Sequence, residues 1–233
     1  MIGVLGAMPV EVARLIEDMA ITTTRTVSRR RFHRGTLRGQ EVVVAEGGVG
    51  KVNAALAAEA MILTFAPSLI VNVGVAGVFT DRLGIGDIAV ARDLVQYDVD
   101  SSALGDPVGY VSTVNRIDFP CAAWARDALL EAARREGFRA AAVRVASGDR
   151  FCDGPADKRL IVDTFGGEVC DMEGCAIAQV CLVNGVDFAA VRAISDAVDG
   201  VHNAEYGRFR DLAADNAARV LEAFLGNLRG GDL

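Results

Sequence analysis

Histidine is nearly absent from this chain, and its scarcity removes a class of chemistry. His33 and His202 stand beside five cysteines (Cys121, Cys152, Cys170, Cys175 and Cys181), an odd number without a Cys-x-x-Cys pair. No zinc ligand set can be assembled from them, so neither a metal nor a cofactor is expected. The thiols read as buried and reduced, as in a cytoplasmic protein. Basic residues are also in deficit, with 24 Lys and Arg against 31 Asp and Glu and a net charge of -7. That balance argues against a nucleic-acid or anionic-membrane partner, either of which needs a basic face. The single basic cluster, Arg29-Arg30-Arg31-Phe32-His33-Arg34, lies between turn-like segments and reads as a solvated hairpin strand.

Targeting and membrane signals are missing too. No basic residue precedes Arg14, and the apolar stretch from Ile2 to Met8 is too short and glycine-rich for a secretory core, so it reads as a first strand. One uncharged run, residues 60–80, has the length of a membrane span but is broken by Pro67, Asn72, Gly74 and Gly77. It suits a helix end, a turn and a buried strand instead. No Pro/Ser-rich linker or charge block divides the 233 residues, and a single domain over 1–233 is expected.

What is present is an alternation of apolar runs and helical stretches. Pro9 suits a first helical position and places Glu11 in the first turn of a helix running through Ile16. Residues 21–46 read as β, with a turn at Arg38-Gly39-Gln40. Gly47-Gly48-Val49-Gly50-Lys51 follows a strand and opens a helix from Val52 to Phe65. It is not a Walker loop, which would need glycine at Ala45 and a hydroxyl at Val52, and Asn53 breaks a dinucleotide fingerprint. A tight turn with free amides near a small ligand is what remains. Buried strands follow at 68–77, 88–91 and 140–146, and helices at 121–136 and 204–228. Residues 98–120 have no clear periodicity and read as a long loop, either a mobile surface segment or one that serves function or a second subunit. Phe151 emerges at a strand end beside Gly148, where it can either pack in the core or stack on a planar ligand.

The stretch from Val169 to Asp196 organises the rest. Two apolar runs end in acid there, at Glu173 before a helix of small residues and at Asp196 after a strand broken only by Arg192. Acids at such positions cap helices, but in a doubly wound sheet the carboxyl ends of strands also face one ligand crevice. Two carboxylates and a guanidinium are therefore expected to share a cleft.

Six motifs in order carry a resemblance over nearly the whole chain: Gly6-Ala7-Met8 with Glu11; Gly48 through Ala55; Asn72-Val73-Gly74-x-Ala76-Gly77; Ser147-Gly148-Asp149-x-Phe151; Asp171-Met172-Glu173-Gly174; and Val191 through Asp196. Together they resemble the 5'-methylthioadenosine/S-adenosylhomocysteine nucleosidases of the purine nucleoside phosphorylase-like fold. The resemblance implies an α/β three-layer α/β/α sandwich around a central mixed, twisted sheet, a homodimer, and a small nucleoside substrate whose N-glycosidic bond is hydrolysed to adenine and thioribose. It implies that Glu11 activates water, that Asp196, with Ser195 beside it, protonates adenine, and that Glu173 and Met172 hold the ribose hydroxyls. Phe151 would stack on adenine, Cys152 would add backbone contacts, Arg192 would lie near the water, and Met8 and Val49 would form apolar walls. These roles agree with the need of glycosidic cleavage for an acid on the leaving group and a base on water.

Three positions depart from the family's pattern: Val75 where serine is common, Ser101 where an apolar residue is common, and Leu104 where an aromatic is expected to reach a partner's site. They bear on substrate preference among methylthioadenosine, adenosylhomocysteine, 5'-deoxyadenosine and an aminofutalosine nucleoside. The competing readings are a purine nucleoside phosphorylase of the same fold, which would need an arginine at Asn72 and no Glu11, and a non-catalytic adenosine-binding module, which would also not need Glu11.

Overall fold

The strand from Leu69 to Val78 (β5) is buried on both faces, and the molecule is assembled outward from it. The computed structural model describes residues 1–197 and 203–228, so His202 lies outside the described residues. β5 pairs in parallel with Ile2–Gly6 (β1), which pairs in parallel with Gln40–Glu46 (β4). Arg30–Leu37 (β3) and Ala20–Val27 (β2) continue antiparallel to the edge. Phe32 is the buried member of the basic cluster and its arginines line an exposed hairpin, as the charge pattern predicts. On the other side of β5 the sheet curls. Asp187–Ala197 (β10) lies parallel to β5 and antiparallel to Ile88–Gln96 (β6). Strand β6 pairs with Asp118–Pro120 (β7) and with Ala140–Ser147 (β8), β8 with Val169–Asp171 (β9), and β9 returns to β5. Five strands thus close on themselves while the other half of the sheet stays open, a limiting form of the twist that a large mixed sheet accumulates.

Alternation along the strands makes two apolar layers. Val43, Ala45, Ile70 and Ala190 face one layer, covered by the helices Lys51–Phe65 (α2) and Gly174–Asn184 (α5). Val42, Val44, Val71 and Val191 face the other, beneath Pro9–Asp18 (α1), Ala123–Arg135 (α3) and Asn203–Asn227. This is the mixed α/β architecture with helices on both faces that the motifs imply. All five cysteines are unpaired and buried. Residues 98–120 hold a short helical turn at Ser102–Leu104 and the three residues of β7, too little local pattern to be read from sequence. The same holds for the helical turns between Pro155 and Thr164.

Candidate active site

Three element ends meet at one cleft. α1 begins immediately after β1, and its first turn carries Glu11, a buried residue. Glu11 Oε2 accepts the Ala7 and Met8 backbone N–H groups at 2.6 and 2.9 Å, and Oε1 accepts that of Val75 at 3.0 Å. One carboxylate thus closes the helix start and also lines the cleft. Position 75 meets Glu11 through its backbone N–H, a contact that valine and serine can make alike. Burial raises the Glu11 pKa above the ordinary glutamate value, with Arg192 and the three N–H groups offsetting it only in part.

The second end is that of β10. Its register against β5 slips between Ile194 and Asp196, which pair with Ala76 and Gly77. The slip is a β-bulge, and it turns both Ser195 and Asp196 toward the cleft where plain alternation would separate them. Ser195 Oγ donates to Asp196 Oδ1 at 2.6 Å.

The third end is that of β9, where Glu173 caps α5 and its Oε1 accepts the Gly50 N–H at 2.8 Å. Burial, then the nearby Asp171 carboxylate, pushes the Glu173 pKa up to about 7. The glycine-rich loop is thus not a bed of free amides. Gly47 and Gly48 donate to Gly6 and Ala7 carbonyls, Gly50 to Glu173, and Lys51 to Asp149. Gly48 and Gly50 sit at φ 86° and 91°, a left-handed backbone that only glycine adopts without strain.

The cleft between these ends encloses about 540 Å³ including its mouth, and its lining includes Met8, Glu11, Val49, Val75, Phe151, Cys152, Met172, Glu173, Ser195 and Asp196. Phe151 lines the cleft and is 43% exposed. Two expected residues are not in the lining. Arg192 is fully buried beneath the cleft, and Leu104 is 86% exposed away from it. Tyr206 does line it: the Tyr206 ring meets Phe151 edge to face at 5.4 Å and its hydroxyl donates to Met8 Sδ at 3.5 Å. Sequence reasoning missed it because a tyrosine near the start of a long helix carries no local signal. Among the described residues no cluster of His, Cys, Asp and Glu is arranged to hold a metal ion.

A family profile described as the Phosphorylase superfamily matches residues 1–226. A 5'-methylthioadenosine/S-adenosylhomocysteine nucleosidase of Shewanella halifaxensis is 33% identical over 228 residues, covering 97% of this chain and 99% of the relative. The chain belongs to that nucleosidase family. The corresponding protein of Shewanella oneidensis is 38% identical over 201 residues, with 84% and 83% of the two chains covered. Among solved structures, the Neisseria meningitidis nucleosidase in complex with methylthio-immucillin-A superposes with a TM-score of 0.93 at 31% identity, covering 97% of this chain and 99% of that one. A futalosine hydrolase of Helicobacter pylori superposes as well, with a TM-score of 0.92 at 31% identity and 97% coverage of both chains.

The electrostatics of this nucleosidase-family site have a measurable consequence. A glutamate whose folded pKa is raised holds its proton more tightly in the folded than in the unfolded protein. Its stabilising contribution is complete below the ordinary glutamate pKa and is lost as pH rises through about 7 for Glu173, with Glu11 adding in the same direction. Thermal unfolding of the ligand-free protein is therefore expected to move to lower temperature between about pH 5 and about pH 8, and Glu173→Gln is expected to flatten part of that slope. A Glu173→Gln protein with the unchanged wild-type pH slope would contradict the assignment.

Proposed function

We propose that the chain hydrolyses the N-glycosidic bond of 5'-methylthioadenosine and S-adenosylhomocysteine, and of 5'-deoxyadenosine, releasing adenine. In this reading Glu11 takes the proton of the attacking water and Asp196 delivers a proton to adenine as it leaves. Glu173, with Met172, holds the ribose hydroxyls and offsets the positive charge that develops on the sugar ring. Phe151 stacks on adenine between the apolar surfaces of Met8, Val49 and Cys152.

The observation that carries the hydrolase reading is the charge of the cleft. Glu11, Asp171, Glu173 and Asp196 line it, while the arginines at its wall and floor are each paired with an acid, Arg150 with Asp157 and Arg192 with Asp171. A phosphate nucleophile would be repelled from such a site, whereas neutral water is not. Asn72, where a phosphorylase would carry arginine, is itself buried and donates to the Leu5 carbonyl at 2.7 Å. Adenine release from methylthioadenosine is expected to proceed equally with and without phosphate, and release that requires phosphate would overturn the reading. The likeness to a futalosine hydrolase supports including an aminofutalosine nucleoside in the same substrate series.

A homodimer is part of this proposal. Val52 and Leu63 on α2 are 71% and 74% exposed and Val183 is exposed on α5, the helix packed beside it, and exposed apolar side chains of this kind suit association with a second copy. In this reading the 98–120 segment, with the exposed Leu104, reaches toward the neighbouring cleft. Five unpaired thiols favour a cytoplasmic location, and no described helix is long and apolar enough to cross a membrane.

A further inference from the structure

Asp171 is given no catalytic or substrate-binding role above, yet its carboxylate is heavily hydrogen-bonded. Its Oδ1 accepts the Ser147 hydroxyl at 2.5 Å, and the Gly174 N–H lies 3.2 Å from both carboxylate oxygens at the start of α5. The Ser147 Oγ in turn accepts the Cys175 N–H at 2.8 Å. Asp171 Oδ2 accepts two bonds from Arg192, from Nε at 3.0 Å and from Nη2 at 2.6 Å. Nη2 also donates to Asn72 Oδ1, and Asn72 is held by the Leu5 carbonyl. The carboxylate and the guanidinium are both almost wholly buried.

One nitrogen of Arg192 is left over. Among the described residues Nη1 is buried without a hydrogen-bond partner. It lies over Gly74: a methyl group placed there would sit 3.3 Å from Nη1 and 2.4 Å from Glu11 Oε1. No bond joins Nη1 to Glu11, although their charges interact. A buried, charged N–H without a partner is costly, and it persists where something else is meant to occupy its reach.

We infer that Asp171 is a positioning residue: by engaging Nε and Nη2 it fixes the Arg192 guanidinium so that Nη1 alone faces Glu11 Oε1, and a small oxygen ligand bridges the two. On the proposed hydrolytic reading that oxygen is the attacking water. Gly74 admits Glu11 close to β5 beside Nη1, and Gly174 admits Asp171, where an added methyl would lie 2.5 Å from Oδ2. Without Asp171 the guanidinium is free to turn toward Glu11 or Glu173 and pair with either. The water would then lose its donor and Glu11 its availability as a base.

The test combines kinetics with a probe of the guanidinium itself. Asp171→Asn is expected to lower kcat on the order of a hundredfold, the scale of a small misplacement of a reacting group, while KM changes by less than about threefold. In an Arg192→Lys background the same change is expected to cost less than about threefold, because no guanidinium is left to position. Equal losses in both backgrounds, or a normal kcat in the single variant, would overturn the inference. Ser147→Ala, a milder change, is expected to produce a smaller loss in kcat with the same selectivity. In ¹⁵N-arginine NMR of the resting protein, the Arg192 Nε–H signal, assigned by its loss in Arg192→Lys, is expected to exchange slowly in the wild type and quickly in Asp171→Asn. Unchanged exchange would also overturn the inference, and this measurement needs no turnover. A wild type that releases no adenine would instead count against the hydrolase reading.

Discussion

Asparagine at position 196 is expected to lower kcat for adenine release by at least about a hundredfold, the scale of losing a general acid, with substrate affinity nearly unchanged. The substitution preserves shape, and the Asn oxygen can still accept the Ser195 hydroxyl that now lies 2.6 Å from Asp196 Oδ1. What asparagine cannot do is release a proton to a leaving base. Glutamine at position 11 is expected to cost as much in turnover and to lower stability as well. Glu11 receives three backbone N–H groups, two on one oxygen and one on the other. An amide has only one oxygen, so its NH2 must face at least one of those donors, a conflict worth about 1 to 3 kcal/mol. Steady-state kinetics, a binding isotherm with a non-hydrolysable substrate analogue and thermal unfolding separate the two variants. Near-normal turnover in either would remove that residue from its proposed role, and unchanged stability in Glu11→Gln would show that the three N–H bonds contribute little.

A single methyl group at Gly74 is expected to be nearly as damaging to kcat/KM as loss of Glu11 itself. An alanine Cβ would lie 2.4 Å from Glu11 Oε1 and 2.9 Å from Cδ, closer than such atoms can approach. Neither side can yield easily. The carboxylate is tied to the backbone of Ala7, Met8 and Val75, and β5 is bonded to β1, β9 and β10. A displacement of even about 1 Å at a reacting group costs on the order of a hundredfold in rate. The measurement is kcat/KM for methylthioadenosine alongside thermal unfolding. If Gly74→Ala retained more than about a tenth of wild-type activity, the close approach of Glu11 to β5 would not be a requirement of the site.

Local pattern alone was enough to read much of the frame. Pro9 marks the start of α1 and places Glu11 in its first turn, the continuous apolar runs at 68–77 and 188–196 mark strands buried on both faces, and Asn184-Gly185 ends α5 with glycine in the left-handed conformation. Each is a decision made within a few residues by backbone geometry or hydrophobic period, which is why a single sequence contains it. The acids at 11, 173 and 196 were visible for the same reason, as polar residues at the ends of apolar elements.

The tertiary structure decided everything that depends on partners distant in the chain. Strand period does not reveal that β10 pairs with both β5 and β6, nor that a slip of one residue against β5 turns Ser195 and Asp196 into the same cleft. The amides of the glycine-rich loop looked free because their acceptors are distant in the chain: the Gly6 and Ala7 carbonyls lie on the preceding strand β1 and the turn after it, and Glu173 and Asp149 about a hundred or more residues onward. Arg192 was legible as a charge in a buried strand, but its being held beneath the cleft by Asp171 and Asn72, with one nitrogen left over Gly74, follows only from packing three strands side by side. Hydrophobic period sets which face of a strand is buried. Register between strands sets which polar atoms meet, and that is a property of the assembled sheet.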